Sequence, residues 1–446
     1  MRLSILTAFI LPLLTLGSLN TNLAQQSDKH PIALRCGRLI DGVSQTPVNN
    51  AIVLIEGERI TAVGPNIDVP AGAEVIDLSA ATVLPGLIDC HTHLLMEYDG
   101  ALNGDDPNMI LTVTQMSTAK RVLLGARMGR EDLEAGITTV RDVGNSGWNG
   151  DVALRDAINA GWVVGPRIVA STRALSAAGG QFGRVQAETQ KIVEQEYVTI
   201  SGVEEARRAV RQAFYDGADC IKVIVNTGPR VVSLEEMKVI VEETHRVGKK
   251  VAAHAIGDQA TRIAAEAGVD SIEHAYVVPD DVLKMMAQKR IFLVPTDGPI
   301  EDGMSLLKQR NYTPEQLKEI EAAVNRSHGF SRSRLERAVK AGVPIAAGSD
   351  MYYKIPGKTR GQASLGMLRA YADSSMTPIE IIRAATANAA ELLGWKTRVG
   401  TIEPNKFADI IAVEGDPLKD ITTLERVKFV MKGGKTIKNE VKTKTR

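Results

Sequence analysis

The chain has 446 residues, too many for one ordinary domain and about right for a large barrel plus a smaller unit. Its 44% hydrophobic and 24% charged content is an ordinary globular balance. Lys+Arg and Asp+Glu are equal at 53 each, which argues against nucleic acid or an anionic membrane as a main partner.

The first residues have the form of a targeting segment. Arg2 supplies a positive charge, residues 3–16 are almost wholly apolar, and residues 20–26 are small and polar. The apolar run is short for a bilayer span and fits a signal peptide over residues 1–24, cleaved after Ala24, although Asn22 is not the ideal small residue before that point. An uncleaved anchor is the alternative. The expected location is secreted or periplasmic, with no membrane association once the leader is removed. Cys36, Cys90 and Cys220 cannot all pair within one chain and show no Cys-x-x-Cys spacing. Cys90 and Cys220 lie in expected buried strands and read as small core residues.

Residues 30–82 read as short strands and turns. A strand at 51–55, a turn at 56–58 and a returning strand at 59–63 make a hairpin. Strand chemistry returns at the far end, at 409–413 and 427–431, before the turn Gly433-Gly434. Residues 30–82 and 399–446 are therefore expected to build one small β-sandwich from both ends of the chain. The middle, residues 83–398, alternates strands with helices. The expected strands are 83–88, 137–140, 167–170, 220–225, 251–254, 271–274, 291–295 and 344–347. Ser233 to Glu236 is a capping box opening a helix that stops near Gly248. Thr377-Pro-Ile-Glu380 is another, with Gly394 as the stop. Eight strand–helix units over roughly 300 residues match an α/β fold of the (β/α)8 TIM-barrel type. An open doubly wound sheet is the runner-up, but no glycine-rich phosphate loop follows the first strand.

In such a barrel, reactive groups project from the C-terminal ends of the strands. His91 and His93 follow the first strand, two residues apart, and so face one side. Lys222 lies among apolar residues of the fourth strand, where a free cation is costly. Burial would keep its amine neutral and reactive. His254 and His274 end the fifth and sixth strands, and Asp350 follows the eighth. Each alone has a bland explanation as a hydrogen-bonded strand-end residue. Six such groups on one barrel face are much harder to explain that way, and imidazoles suit zinc and similar cations. Glu273 points to the opposite side of its strand from His274 and reads as a packing or supporting group. His30, His245 and His328 fall in a linker or helices and read as surface residues.

The ordered set His-x-His, Lys, His, His, Asp resembles that of the amidohydrolase superfamily. The resemblance also takes in Pro85-Gly-Leu-Ile-Asp-Cys-His-Thr-His93, Ala135-Gly-Ile-Thr-Thr-Val-Arg-Asp-Val-Gly144, Gly400-Thr-Ile-Glu-Pro-Asn-Lys-Phe-Ala-Asp409 and Gly415-Asp-Pro-Leu418. It is nearest to the imidazolonepropionase-related, Xaa-Pro dipeptidase-like branch. The resemblance implies two divalent metal ions, usually zinc. His91, His93 and Asp350 would hold one, His254 and His274 the other, and Lys222 carboxylated on its side-chain nitrogen would bridge them. It further implies a water activated between the cations, with Asp350 carrying its proton to the leaving amine.

One position departs from the family pattern. After Gly179-Gly180 the chain has Gln181, where many similar proteins carry a histidine facing the substrate. Gln181 can donate a hydrogen bond but cannot become cationic. Specificity is expected in the strand-to-helix loops, from Gln181, Arg184, Arg230 and Tyr352. A substrate carboxylate would call for one of the two arginines, each of which also reads as a solvated loop cation. The expected substrate is a small molecule, dipeptide-like or an N-acyl amino acid. The alternatives are a cyclic amide, a lactone or a phosphoester on the same site, and, more remotely, a non-catalytic binding protein. The sequence leaves a homo-oligomer open.

Overall fold

The computed structural model describes residues 30–442 other than Asn103; the leader expected at 1–24 lies outside the described residues. Among the described residues no helix is long and apolar enough to cross a membrane.

Strands from the two ends of the chain join a single eight-stranded sheet. Ile32–Leu39 pairs in parallel with Glu74–Pro85 and antiparallel with Ile52–Glu56, which turns back into Arg59–Gly64. Ile410–Val413 from the far end lies between Glu74–Pro85 and Val427–Lys432, antiparallel to both. Alternating side chains give this sheet a core of its own, including Leu34, Val53, Leu78, Ile410 and Phe429.

The middle of the chain is mixed α/β with parallel strands. Leu87–Thr92, Ile137–Asp142 and Arg167–Ala170 form one parallel sheet. A second runs Tyr197–Thr199, Ala174–Ser176, Cys220–Ile224, Lys250–Ala255, Ser271–His274, Phe292–Val294. Backbone hydrogen bonds join the two sheets. Asp219 N donates to Ala170 O at 2.7 Å on one side. On the other, Leu293 bridges to Ile345, and Cys90 N donates to Ala347 O at 2.8 Å. Residues 344–347 thus occupy the place expected for the last strand, held by single bonds rather than a ladder.

Two expected boundaries are corrected. Residues 83–85 complete the Glu74–Pro85 strand, and the histidine pair belongs to Leu87–Thr92 and the residue after it. Gly86 is the joint: a β-carbon there would lie 2.2 Å from Thr138 Oγ1, so only glycine lets the chain pass from one sheet to the other. The helix opened by the Thr377 capping box stops at Ala384, because Thr386 leaves helical geometry and a second helix, Ala387–Leu392, runs on toward Gly394. The Ser233 capping box is present as read, opening Leu234–Arg246. The short strands Ala174–Ser176 and Tyr197–Thr199 have no counterpart in the sequence reading, since three residues are too few to show a period.

The two units meet at Asp409. Its carboxylate accepts from Arg167 Nε and Nη2 at 2.7 and 3.1 Å and from Gly433 N at 2.8 Å, while the Arg167 guanidinium lies 3.8 Å over the Phe407 ring. Removing the Asp409 charge leaves a partly buried guanidinium uncompensated. Asp409→Asn is expected to lower unfolding stability by about 2–4 kcal/mol. Denaturant titration checks this; an unchanged midpoint would show that the junction does not hold the units together.

Candidate active site

The parallel strands deliver their polar ends to one cavity of about 820 Å³. His91, His93, Lys222, His254, His274 and Asp350 all line it. The ring centroids of His91 and His93 are 5.4 Å apart, those of His91 and His274 4.9 Å, and those of His254 and His274 4.6 Å. Asp350 Oδ1 lies 3.2 Å from His93 Nε2 and 3.6 Å from His91 Nε2, and Asp350 Oδ2 lies 3.8 Å from His274 Nδ1.

The hydrogen-bond partners fix the tautomers. His93 Nδ1 meets the carbonyl of Gly144 at 2.9 Å, so this nitrogen carries the proton. His91 Nδ1 meets the Glu273 carboxylate at 2.7 Å, with the same result. Thr296 donates its hydroxyl proton to Pro295 O, so it accepts from His274 Nδ1 at 2.7 Å. In all three rings the lone pair is left on Nε2, the arrangement by which imidazoles are held as metal ligands. Burial, followed by the charge of Lys222, lowers His91 to about 4, and burial with Lys222 and His91 lowers His254 to about 3. Burial also pulls His274 well below its ordinary value. His91, His254 and His274 are thus neutral at neutral pH, the form that binds cations.

Lys222 is 1% exposed, and among the described residues its Nζ has no hydrogen-bond partner. Burial, aided by Arg141 and opposed by Glu273 and Asp350, lowers its pKa to about 8. Burial thus raises the share of neutral amine at neutral pH. Asp350 Oδ1 is likewise buried without a partner. Ligand-capable atoms of His91, His274 and Asp350 all lie within 4.8 Å of one another. Neutral imidazoles, a carboxylate and an orphaned amine around one space form a donor set that fits divalent cations.

Buried arginines hold the ends of the strands. Arg141 donates to Cys90 O at 2.6 Å, Ser271 Oγ at 3.1 Å and Glu273 Oε1 at 2.8 Å. Arg334 donates to the carbonyls of His274 and Pro295 and pairs with Asp297. His274, Thr296 and Asp350 have φ of 65°, 59° and 50°, a left-handed conformation that costs about 1–3 kcal/mol each in a residue with a side chain.

Of the residues expected to meet substrate, Gln181 and Tyr352 line the cavity. Gln181 Oε1 accepts from Tyr197 OH at 3.0 Å, and the Tyr352 ring lies edge-on to His93 at 5.8 Å. The loop before Gln181 turns through Gly179 and Gly180 at φ 85° and 57°; a β-carbon on Gly180 would lie 2.2 Å from the Tyr197 ring. The two arginines are placed otherwise. Arg230 donates to the carbonyls of Ala178 and Phe182 at 2.9 and 2.8 Å and so braces that loop. Arg184 is exposed, and neither arginine lines the cavity. Asn145, Asp105 and Tyr276 line it without having been singled out, because isolated loop residues of these types carry no spacing signal.

The amidohydrolase family model matches residues 82–437. Ochratoxinase from Aspergillus niger is 34% identical over 90% of this chain and 85% of its own length. Imidazolonepropionase from Caldanaerobacter subterraneus is 24% identical over 86% of this chain and 88% of its own. Among solved structures, a Xaa-Pro dipeptidase with methionine bound in its active site superposes with a TM-score of 0.77 at 30% identity, covering 92% of this chain and all of that one. A prolidase complexed with N-methylphosphonate-L-proline gives 0.78 at 28% identity over the same shares. With most of its length matched by the family model, this chain belongs to the amidohydrolase family.

Proposed function

We infer that the protein is a metal-dependent hydrolase of an amide bond in a dipeptide-like or N-acyl amino acid substrate. The observation that carries this is the convergence of four imidazoles, Lys222 and Asp350 on one cavity. Ochratoxinase and the prolidase- and Xaa-Pro dipeptidase-like neighbours support amide chemistry on this framework. In this reading the two parallel sheets are arcs of one (β/α)8 barrel, with the sheet from the chain ends as its β-sandwich. The 1–24 leader directs the protein to a secreted or periplasmic location.

His91, His93 and Asp350 would hold one divalent cation, His254 and His274 the second, and carboxylated Lys222 would bridge them. Zinc is the expected metal. Such cations supply Lewis acidity, which lowers the pKa of a water and polarises a substrate carbonyl. The remaining work falls to the chain. The neutral Lys222 amine attacks carbon dioxide and loses a proton, giving a carbamate. Glu273 and Gly144 O fix the rings of His91 and His93, so their lone pairs face the cavity before substrate arrives. Asp350 takes the proton of the attacking water and delivers it to the departing nitrogen. Gln181 and Tyr352 stand on the wall where substrate would rest.

Metal analysis joined to a hydrolysis screen of dipeptides, N-acyl amino acids and lactones tests the proposal. Bound metal and chelator-sensitive amide cleavage are expected; metal-free protein whose activity ignores chelators would overturn it. Asp350→Asn should lower kcat by about 10²- to 10⁴-fold in protein that retains metal. Turnover at the parent rate would remove Asp350 from proton transfer. Lys222→Ala is expected to lose metal and activity together, with partial recovery in short carboxylic acids. An unmodified lysine mass in metal-loaded, active protein would rule out the carbamate.

A further inference from the structure

A second cavity, of about 380 Å³, adjoins the first. Asp350, Tyr276 and Tyr352 line both, so they form the partition between the two spaces. His91, His93, Lys222 and His254 face only the larger one. The smaller chamber is walled by Met351 and Ile355 after Asp350, by Ile300 and Leu306, and by Val324 of the long helix Pro314–Lys340. Its other carboxylates are neutralised from behind: Asp297 pairs with Arg334, and Asp302 accepts from Lys358 Nζ at 2.6 and 2.8 Å. Thr296, Ser327, His328, Ser331 and Arg332 also line it, Ser327 and Arg332 on exposed positions, so an apolar strip lies opposite polar groups. Its volume lies within the range of small-molecule sites.

We propose that this chamber receives the amine half of the substrate, with an apolar side chain on the departing nitrogen, while the acyl half stays in the larger cavity. The inference rests on the amide-hydrolase reading above. In that reaction the water oxygen bonds to the carbonyl carbon and the carbon–nitrogen bond breaks. One proton of the water passes through Asp350 to the nitrogen, giving a carboxylic acid and a free amine, and the acid then gives its proton up to solvent. The nitrogen must lie beside Asp350 to receive that proton. Asp350 stands on the partition, and the four histidines that would hold the cations line only the larger cavity. The substituent on nitrogen thus points through the partition, among Val324, Leu306 and Met351.

The test uses the protein as isolated, with N-acetylglycine, N-acetyl-L-leucine and N-benzoylglycine as probes. The parent is expected to favour the leucine compound over the glycine one by roughly tenfold or more in kcat/KM. Val324→Trp, which fills the chamber, should erase that preference through KM and leave the benzoyl-to-acetyl ratio unchanged. A leucine preference that survives, or a loss confined to the benzoyl compound, would overturn the proposal. Ser327→Trp, on the exposed part of the same wall, serves if Val324→Trp does not fold. Hydrolysis of none of these compounds by the parent would count against the amide-hydrolase reading instead. Calorimetry with L-leucine and glycine then decides the chamber alone: leucine binding that Val324→Trp abolishes upholds it, and absent or unaltered binding rejects it.

Discussion

One carboxylate sets the geometry of the site. Glu273 is fully buried, with Arg141 on one oxygen and His91 on the other. Burial alone would drive its pKa up, yet Arg141, His91 and Lys222 hold it well below the ordinary glutamate value, so it stays an anion. An anion there makes His91 Nδ1 a donor and turns its lone pair toward the cavity. The same guanidinium binds Cys90 O, just before His91, and Ser271, two residues before Glu273. Strands far apart in sequence are thereby registered to one another by a charge cluster that water does not screen.

The pattern recurs at the other strand ends. Arg334 reaches from a long helix to the carbonyls of His274 and Pro295, where the backbone takes left-handed turns. Arg121 ties Leu95 O and Asn145 O to Glu196, beside the His93 strand. Parallel strands end in unpaired carbonyls, and a planar guanidinium can bind two of them while paired to a carboxylate. Side chains held this way are positioned before any ligand arrives, as tautomer-specific chemistry requires.

Much of this was legible in the sequence because the strand period and strand-end ionisable groups coincide. The His91–His93 spacing, Lys222 among apolar neighbours, and histidines closing short apolar runs pointed to one face, and the structure brings these side chains to a common cavity. Capping boxes at Ser233 and Thr377 gave helix starts because their chemistry is local. What escaped depends on distant partners. The link from Glu273 to Arg141 spans 132 residues, and nothing near either residue announces it. Arg230 looked free for substrate, but its partners are carbonyls about fifty residues earlier. The chain's passage between sheets at Gly86 was missed because an unbroken apolar run hid it; only the approach of Thr138 shows why a glycine stands there.

The sheet formed by the two ends of the chain has a consequence for biosynthesis. Ile410–Val413 is inserted between Glu74–Pro85 and Val427–Lys432, so the amino-terminal strands cannot gain this neighbour until the whole of the intervening chain has left the ribosome. Until then Glu74–Pro85 presents an unpaired edge, a template for mispairing with other nascent chains. Ile410–Val413 is the strand that closes this edge, and Asp409, just before it, is also the residue that fastens the finished sheet to Arg167. The sheet thus closes only after every intervening strand and helix has been made.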